Sequence, residues 1–164
     1  MNELRDNADT GELIQYIVIK IDDEQYGINI KFIDNIVRMQ QITRVPKVDD
    51  YLKGVINIRG EIVPVMSVRM KMGLSEDEIT GKSRIIILKN GEGDLVGIIV
   101  DQVNQVLTLD SNNVEKVRYD DKKDKNNTSF VNGVGHYEGG LVSLLDLDAV
   151  VSEKDVKEKA SSAG

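Results

Sequence analysis

The sequence contains no cysteine, no tryptophan and a single histidine, His136. Without cysteine the chain forms no disulfide and offers no thiolate for catalysis or metal binding. One histidine without cysteine cannot complete a typical zinc site, and the serines Ser67, Ser83, Ser129 and Ser143 lack the sequence context of a nucleophile. We therefore expect no catalytic residues, no metal and no enzyme activity.

Basic residues are fewer than acidic residues, so the formal net charge is -7 and the sequence pI is about 4.8. A protein that binds duplex nucleic acid usually presents a basic face to the phosphates, and no basic stripe is visible here. The same sign opposes adsorption to an anionic membrane surface. No apolar run approaches the roughly 18 residues of a membrane-spanning helix, and no signal peptide is recognisable. These patterns predict a soluble cytoplasmic protein without direct membrane insertion.

Nucleotide-binding motifs are incomplete. Gly81-Lys82-Ser83 resembles the end of a phosphate-binding loop, but Glu76 stands where the first glycine is required and the preceding residues are acidic. Gly133-Val134-Gly135 lacks the third glycine and the following helix of a dinucleotide site. Polar turns are the better interpretation of both segments, and we expect no cofactor.

Valine and isoleucine dominate the apolar residues, which make up 40% of a chain of 164 residues, while aromatic residues account for only 4%. Such an aliphatic, β-branched composition favours sheet. Leu13–Ile21 alternates like a strand, and Tyr26, Ile28 and Ile30 form its hairpin partner. Ile30, Ile33 and Ile36 recur every three residues, which predicts a short helical turn ending near Arg38. Many short strands between frequent turns predict all-β barrels or a sandwich.

The most informative segment is 54–69, which reads GVINIRGEIVPVMSVR. Two short apolar runs flank a polar turn from Asn57 to Glu61, and the pattern predicts a β-hairpin with Arg59 at its tip. The planar guanidinium group of arginine suits interfaces because it donates several hydrogen bonds. An exposed turn arginine and a binding residue are both compatible with this position.

This segment resembles the signature of CheW-like domains, which form the chemotaxis coupling proteins and the regulatory domain of the CheA histidine kinase. Three further blocks agree with the family in order and spacing: Asp23–Ile28, Ile42–Pro46 and Val96–Val103. The resemblance implies a mainly β fold of two five-stranded, SH3-like β-barrel subdomains packed together, with short helices and a C-terminal helix. It covers one CheW-like domain at 13–151, with subdomains at about 22–83 and at 13–21 plus 84–151. Residues 1–12 and 152–164 are expected to be flexible termini.

The resemblance also implies a function. The protein would be a non-catalytic adapter that couples the cytoplasmic tip of methyl-accepting chemoreceptors to the regulatory domain of CheA. It would be a monomer in solution and would be recruited to membrane-associated receptor arrays. A free coupling protein fits better than a kinase, for which the chain is too short. The alternatives are a small-ligand-binding β-barrel, or a regulatory-domain homologue with other partners.

In proteins of this family a receptor helix is held in an apolar groove between the barrels. The matching positions form the expected receptor-binding groove: Ile17, Ile30, Ile33, Ile36, Asn57, Arg59, Gly60 and Val103. The residues of the kinase-binding surface are not assigned. One position departs from the family, because Asn35 stands where a glutamate that could pair with the signature arginine is often found. Asp34 or Glu61 could supply that carboxylate.

Overall fold

The structure, a computed structural model, describes residues 11–117 and 130–151. These residues form eleven β-strands, two one-turn α-helices and two 3-10 turns, so the predicted mainly β class is confirmed. The strands are β1 Leu13–Ile21, β2 Glu24–Asn29, β3 Ile33–Arg38, β4 Leu52–Ile58, β5 Glu61–Ser67, β6 Arg84–Lys89, β7 Leu95–Val100, β8 Gln102–Asp110, β9 Val114–Lys116, β10 Val131–Tyr137 and β11 Gly140–Leu145. The helices are α1 Val68–Lys71 and α2 Leu147–Val150, and the 3-10 turns are Ile30–Phe32 and Ser111–Asn113.

The strands form two sheets. A six-stranded sheet has the order β8-β1-β2-β11-β10-β9, and a five-stranded sheet has the order β3-β6-β7-β5-β4. The N-terminal strand β1 joins the C-terminal strands, as the resemblance implied. Over the described residues each sheet has two edge strands, so neither sheet closes into a barrel through backbone hydrogen bonds. The first sheet has six strands instead of the predicted five, because β9 extends it.

The predicted subdomain bounds do not coincide with the sheets. Strand β2 was placed with 22–83 but lies in the six-stranded sheet, whereas β6 and β7 were placed with 84–151 but lie in the five-stranded sheet. The reason is local. A boundary at 22 would cut the β1–β2 hairpin, whose turn is only Asp22 and Asp23. The chain instead crosses between the sheets at the 3-10 turn after β2 and at Asp101, which alone separates β7 from β8.

The two sheets share one topology after circular permutation of the chain. The order β8-β1-β2-β11-β10 corresponds to β3-β6-β7-β5-β4, and in both sheets the third and fourth strands are parallel. The register agrees as well, because Leu144 pairs with Gly27 as Val65 pairs with Gly97. A bulge interrupts β10 just before Gly133, as another interrupts β4 before Gly54. The signature hairpin β4–β5 therefore has a structural counterpart in β10–β11.

Three clusters of apolar side chains hold the fold together. One cluster belongs to each sheet, around Val63 and Ile87 in the five-stranded sheet and around Val18 and Val142 in the six-stranded sheet. The third, which we call the central core, takes buried residues from both sheets: Ile17, Ile19, Ile21, Tyr26, Ile28, Leu52, Met66, Val68, Met72, Ile86, Leu88, Val96, Ile98, Val100, Val131, Leu145 and Val150. Burial of aliphatic surface stabilises by roughly 25 cal/mol per Å², so the central core, with side chains from both sheets, stabilises their packing against each other.

The predicted helical turn from Ile30 to Arg38 is wrong beyond its first residues. Only Ile30–Phe32 is helical, and it is followed by strand β3. A β-bulge lies between Ile33 and Asn35, so Asp34 is an extra residue opposite β6. Ile33 and Ile36 are three residues apart, yet both pack against the central core. The bulge shifts the alternation of inward-facing and outward-facing side chains by one residue. Ile33 and Ile36 therefore have the three-residue spacing that is typical of a helix although they lie on a strand.

Both α-helices begin at a side-chain cap. The Ser67 hydroxyl oxygen accepts a hydrogen bond from the backbone N–H of Met70 at 3.1 Å, and the Asp146 carboxylate accepts one from the N–H of Asp148 at 3.1 Å. Helix α2 is the expected C-terminal helix. No helix in the described ranges is long and apolar enough to cross a membrane.

The predicted flexible termini fall mainly on residues 1–10 and 152–164, which lie outside the described residues. Glu12, at the inner edge of the N-terminal prediction, is well anchored. Its backbone N–H donates to the Ser111 hydroxyl at 3.0 Å, and its carbonyl accepts from the Ser111 N–H at 2.8 Å.

Candidate docking site

The tip of the β4–β5 hairpin is a two-residue loop, Arg59-Gly60, in which both residues have positive φ, +52° and +85°. Such loops match the twist of paired strands but favour Asn-Gly or Gly-Gly, since a left-handed backbone costs most L-residues about 1–2 kcal/mol. The turn is fixed by Asn57, whose side-chain oxygen accepts a hydrogen bond from Gly60 N–H at 2.9 Å. Arg59 thus occupies a conformation that its side chain does not favour.

Arg59 is held by an ion pair with the bulge residue Asp34. Its Nη2 donates to Asp34 Oδ2 at 2.9 Å, and the two side chains are 68% and 20% exposed. Asp34 lies on β3 and Arg59 follows β4, and these strands are the opposite edges of the five-stranded sheet. A contact between the two edges requires the sheet to curl. The ion pair therefore bridges the gap that the backbone ladder leaves open.

The missing glutamate at Asn35 is replaced by its neighbour. Asn35 turns its side-chain oxygen to the backbone N–H of Ile36 at 2.8 Å, while Asp34 supplies the carboxylate for Arg59. A shift of one residue along a regular strand would point that carboxylate to the other face of the sheet. The bulge at Asp34 re-aims the side chain, so the guanidinium group finds an acidic partner despite the change in sequence.

Four of the eight predicted groove residues belong to the central core or pack against it. Ile33, Ile36 and Val103 are half-buried against the central core, and Ile17 is part of it with only 8% of its surface exposed. Ile17 therefore offers little surface to a partner. Ile30 lies just before β3 and is 38% exposed.

Several exposed apolar residues near these positions were not predicted, and two of them lie beside β3 and the hairpin tip. Phe32 is 36% exposed beside the Lys31 ammonium group, which lies 5.0 Å from the centre of its ring, and Ile62 is 43% exposed on β5 directly after the hairpin tip. Their sequence signal is weak. Phe32 lies next to the isoleucine stripe, but an apolar residue in a strand pattern is more often buried than exposed.

A second polar centre lies where the chain crosses between the sheets. The buried Arg69 of α1 donates from Nη1 to Asp101 Oδ2 at 3.0 Å, and the same nitrogen lies 3.5 Å from Asp22 Oδ1. Asp101 Oδ2 also accepts the backbone N–H of Asp22 at 2.7 Å. This cluster, the Arg69 centre, connects α1 to the β1–β2 turn. No pattern in the sequence distinguished Arg69 from a solvent-exposed arginine.

Among the residues that the structure describes, the titratable groups form no arrangement typical of catalysis. His136 lies on the surface of β10, with its Nε2 2.7 Å from Glu115 Oε1, and no hydroxyl or thiol joins this pair in the described contacts. Burial raises the pKa of Tyr16 and of Tyr26, each inside the fold. Within the described ranges no group of three or more His, Asp or Glu residues could hold a metal ion.

Comparisons with known proteins decide the family. The model of the CheW-like domain matches residues 15–155 of this chain. The chain belongs to the CheW-like family. The chemotaxis protein CheW of Bacillus subtilis is 34% identical over 154 residues, covering 94% of this chain and 93% of that protein. CheW of Thermotoga maritima is 32% identical over 151 residues, covering 92% and 96%.

The fold comparison agrees with the CheW-like assignment. The crystal structure of the scaffolding protein TtCheW from Thermoanaerobacter tengcongensis matches with a TM-score of 0.77 at 27% identity, covering 88% of this chain and 97% of that one. The family resemblance and the packing of two β subdomains are therefore confirmed. The groove residues are assigned by neither comparison and stay a prediction.

Proposed function

We propose that this protein is a non-catalytic chemotaxis adapter that couples the cytoplasmic tip of chemoreceptors to the regulatory domain of the CheA kinase. Membership in the CheW-like family supports the adapter class. The main support for the docking site is the state of Arg59. This residue is exposed at a hairpin tip in a left-handed backbone conformation and is held by an ion pair with Asp34. The adapter acts as a monomer in the cytoplasm, is recruited to receptor arrays and needs no cofactor.

The conformation of Arg59 argues for binding rather than stability. Asparagine or glycine would fit its backbone better, and an exposed ion pair returns only about 0.2–1 kcal/mol. Unfavourable backbone conformations that the surrounding structure holds in place cluster at binding and active sites. Arginine is also among the residues that contribute most to binding at interfaces. Arg59 therefore has a clearer role in contact with a partner than in the isolated fold.

An amphipathic receptor helix suits the surface beside Arg59. Ile30 and Phe32 are exposed before β3, and Ile33 and Ile36 continue from them into the central core. A helix lays its apolar stripe along such a surface, and polar groups at the rim set its register. In this proposal Asp34 and Arg59 provide that polar rim.

The kinase domain is expected to bind a different surface, so that one adapter holds both partners. We assign no residues to that surface.

The test is a binding titration with a chemoreceptor cytoplasmic fragment and, separately, with the CheA regulatory domain. The variants are Arg59→Asn and Ile30→Asp, with Leu141→Asp as the matched control because Leu141 is exposed in the other sheet. We expect each site variant to weaken receptor binding by at least about tenfold, or about 1.4 kcal/mol, and the control to bind the receptor normally.

Two results would contradict the proposal at different levels. If the correctly folded wild-type protein retains neither partner, the adapter function is wrong. If both site variants bind the receptor fragment as tightly as the wild type, the function stands but the groove is misplaced.

A further inference from the structure

The segment from Leu74 to Ser83, which we call the strap, joins α1 to β6 and is tied to the Arg69 centre. Leu74 N–H donates to the Arg69 carbonyl at 2.8 Å. The Arg69 side chain donates from Nε to the Ser75 carbonyl at 3.1 Å and from Nη2 to the Ser75 hydroxyl at 2.8 Å. The far end of the strap is closed by Thr80 and Ser83, which exchange two hydrogen bonds.

Asp77 is the unusual residue of the strap. Both of its carboxylate oxygens are buried, and neither has a hydrogen-bond partner of good geometry among the described residues. An ionised carboxylate in this state is costly, because it loses its hydration and the groups around it compensate only in part. The neutral acid carries a much smaller cost.

The charges around Asp77 do not remove this cost. Arg69 faces it from α1, but the same guanidinium group already serves the carboxylates of Asp101 and Asp22. Burial raises the pKa of Asp77, and the negative charge of Asp101 raises it further. The Ser67 hydroxyl at the end of β5, the charge of Arg69 and the backbone of Asp77 itself lower the pKa without reversing the shift.

We propose that the strap is a proton-linked latch, closed over the Arg69 centre while Asp77 holds its proton and released when Asp77 ionises. Release returns the carboxylate to water and frees Ser75 from the guanidinium group. Leu74, which packs against the central core, would move with it. The latch lies where the chain crosses between the sheets, and it includes none of the proposed groove residues, so it does not depend on the proposed function.

The sign of the effect follows from proton linkage. A closed state with a raised carboxyl pKa binds more protons than the open state, whose pKa returns to the ordinary value of 3.8. The full stability of closure is therefore present below that value and is lost as the pH rises through the pKa of the closed state. Between the ordinary pKa and the pKa of the closed state, the opening constant rises by up to about tenfold per pH unit. Above the pKa of the closed state, the opening constant levels off.

Amide hydrogen exchange of Leu74, Thr80 and Ser83 measures strap opening between pH 4 and pH 8, after correction for intrinsic exchange rates. We expect the opening constant of the wild type, divided by that of Asp77→Asn, to rise with pH and then level off. Glu78→Gln is the matched control, since Glu78 is exposed on the same strap. Its ratio to the wild type should not change with pH.

A ratio between the wild type and Asp77→Asn that stays constant with pH would overturn the latch. Because the variant could alter local packing, the carboxyl carbon of Asp77 is also titrated by NMR in the wild type. A midpoint at or below 3.8 would refute the proposal independently, and a midpoint above it is the expected result.

Discussion

Replacement of Arg59 by asparagine separates the energetic cost of the Arg59 backbone conformation from the role of its side chain in binding. Asparagine tolerates a left-handed backbone, so Arg59→Asn should recover most of the roughly 1–2 kcal/mol that φ = +52° costs arginine. The variant loses the ion pair with Asp34, which is worth roughly 0.2–1 kcal/mol because the arginine side chain is 68% exposed. The expected net change is a gain of about 1 kcal/mol in the free energy of unfolding, or about 2–4 °C in Tm for a chain of this size.

Arg59→Ala provides the reference, because alanine also loses the ion pair but keeps the unfavourable conformation. Its stability should fall by roughly 0.2–1 kcal/mol. Urea denaturation of the three proteins gives the difference between the asparagine and alanine variants, which we expect to be about 1–2 kcal/mol. Equal stability of the two variants would refute the argument that Arg59 is conformationally strained, and with it the inference that binding maintains an arginine there.

Three further changes test other parts of the structure. Gly54→Ala should lower the free energy of unfolding by about 1–3 kcal/mol more than Gly60→Ala, because both positions have positive φ but only the Cβ added at Gly54 would clash, 2.1 Å from the Thr43 carbonyl oxygen. Gly60→Ala, whose added Cβ meets no neighbouring segment within 4 Å, should cost only about 1–2 kcal/mol, and equal losses of the two variants in urea denaturation would contradict this account. Arg69→Met should lower the free energy of unfolding by about 2–4 kcal/mol, because it leaves the carboxylates of Asp101 and Asp22 without their positively charged partner. A Tm equal to that of the wild type would show that the Arg69 centre does not stabilise the junction of the sheets. In a double-mutant cycle measured by denaturation, the coupling energy between Asp34→Asn and Arg59→Ala should be no more than about 1 kcal/mol. A larger coupling energy would show that the ion pair stabilises the curled sheet more than an exposed pair normally does.

The strands and the family could be predicted from the sequence because both depend on local patterns. Ile17, Ile19 and Ile21 alternate along β1, Tyr26 and Ile28 alternate along β2, and the tight turns of the hairpins are visible as polar breaks. The signature from Gly54 to Arg69 predicted the correct hairpin, β4–β5. These features need only the preferences of neighbouring residues.

The assignment of strands to sheets could not be predicted in the same way, because pairing joins residues that are distant in sequence. The parallel pair of Leu144 with Gly27 has no local signal. The bulge at Asp34 is another example, since one additional residue turned an alternating strand into an apparent helical pattern. The Arg69 centre arises only when three segments meet, so no spacing in the sequence reveals it.

The most direct test of the adapter function is simultaneous binding. The wild-type protein is saturated with the CheA regulatory domain and then titrated with the chemoreceptor cytoplasmic fragment. We predict that the receptor fragment still binds and that a ternary complex of all three components is recovered by size-exclusion chromatography. Displacement of the kinase domain by the receptor fragment, or failure of either partner to bind the folded protein, would contradict the claim that this chain couples the two.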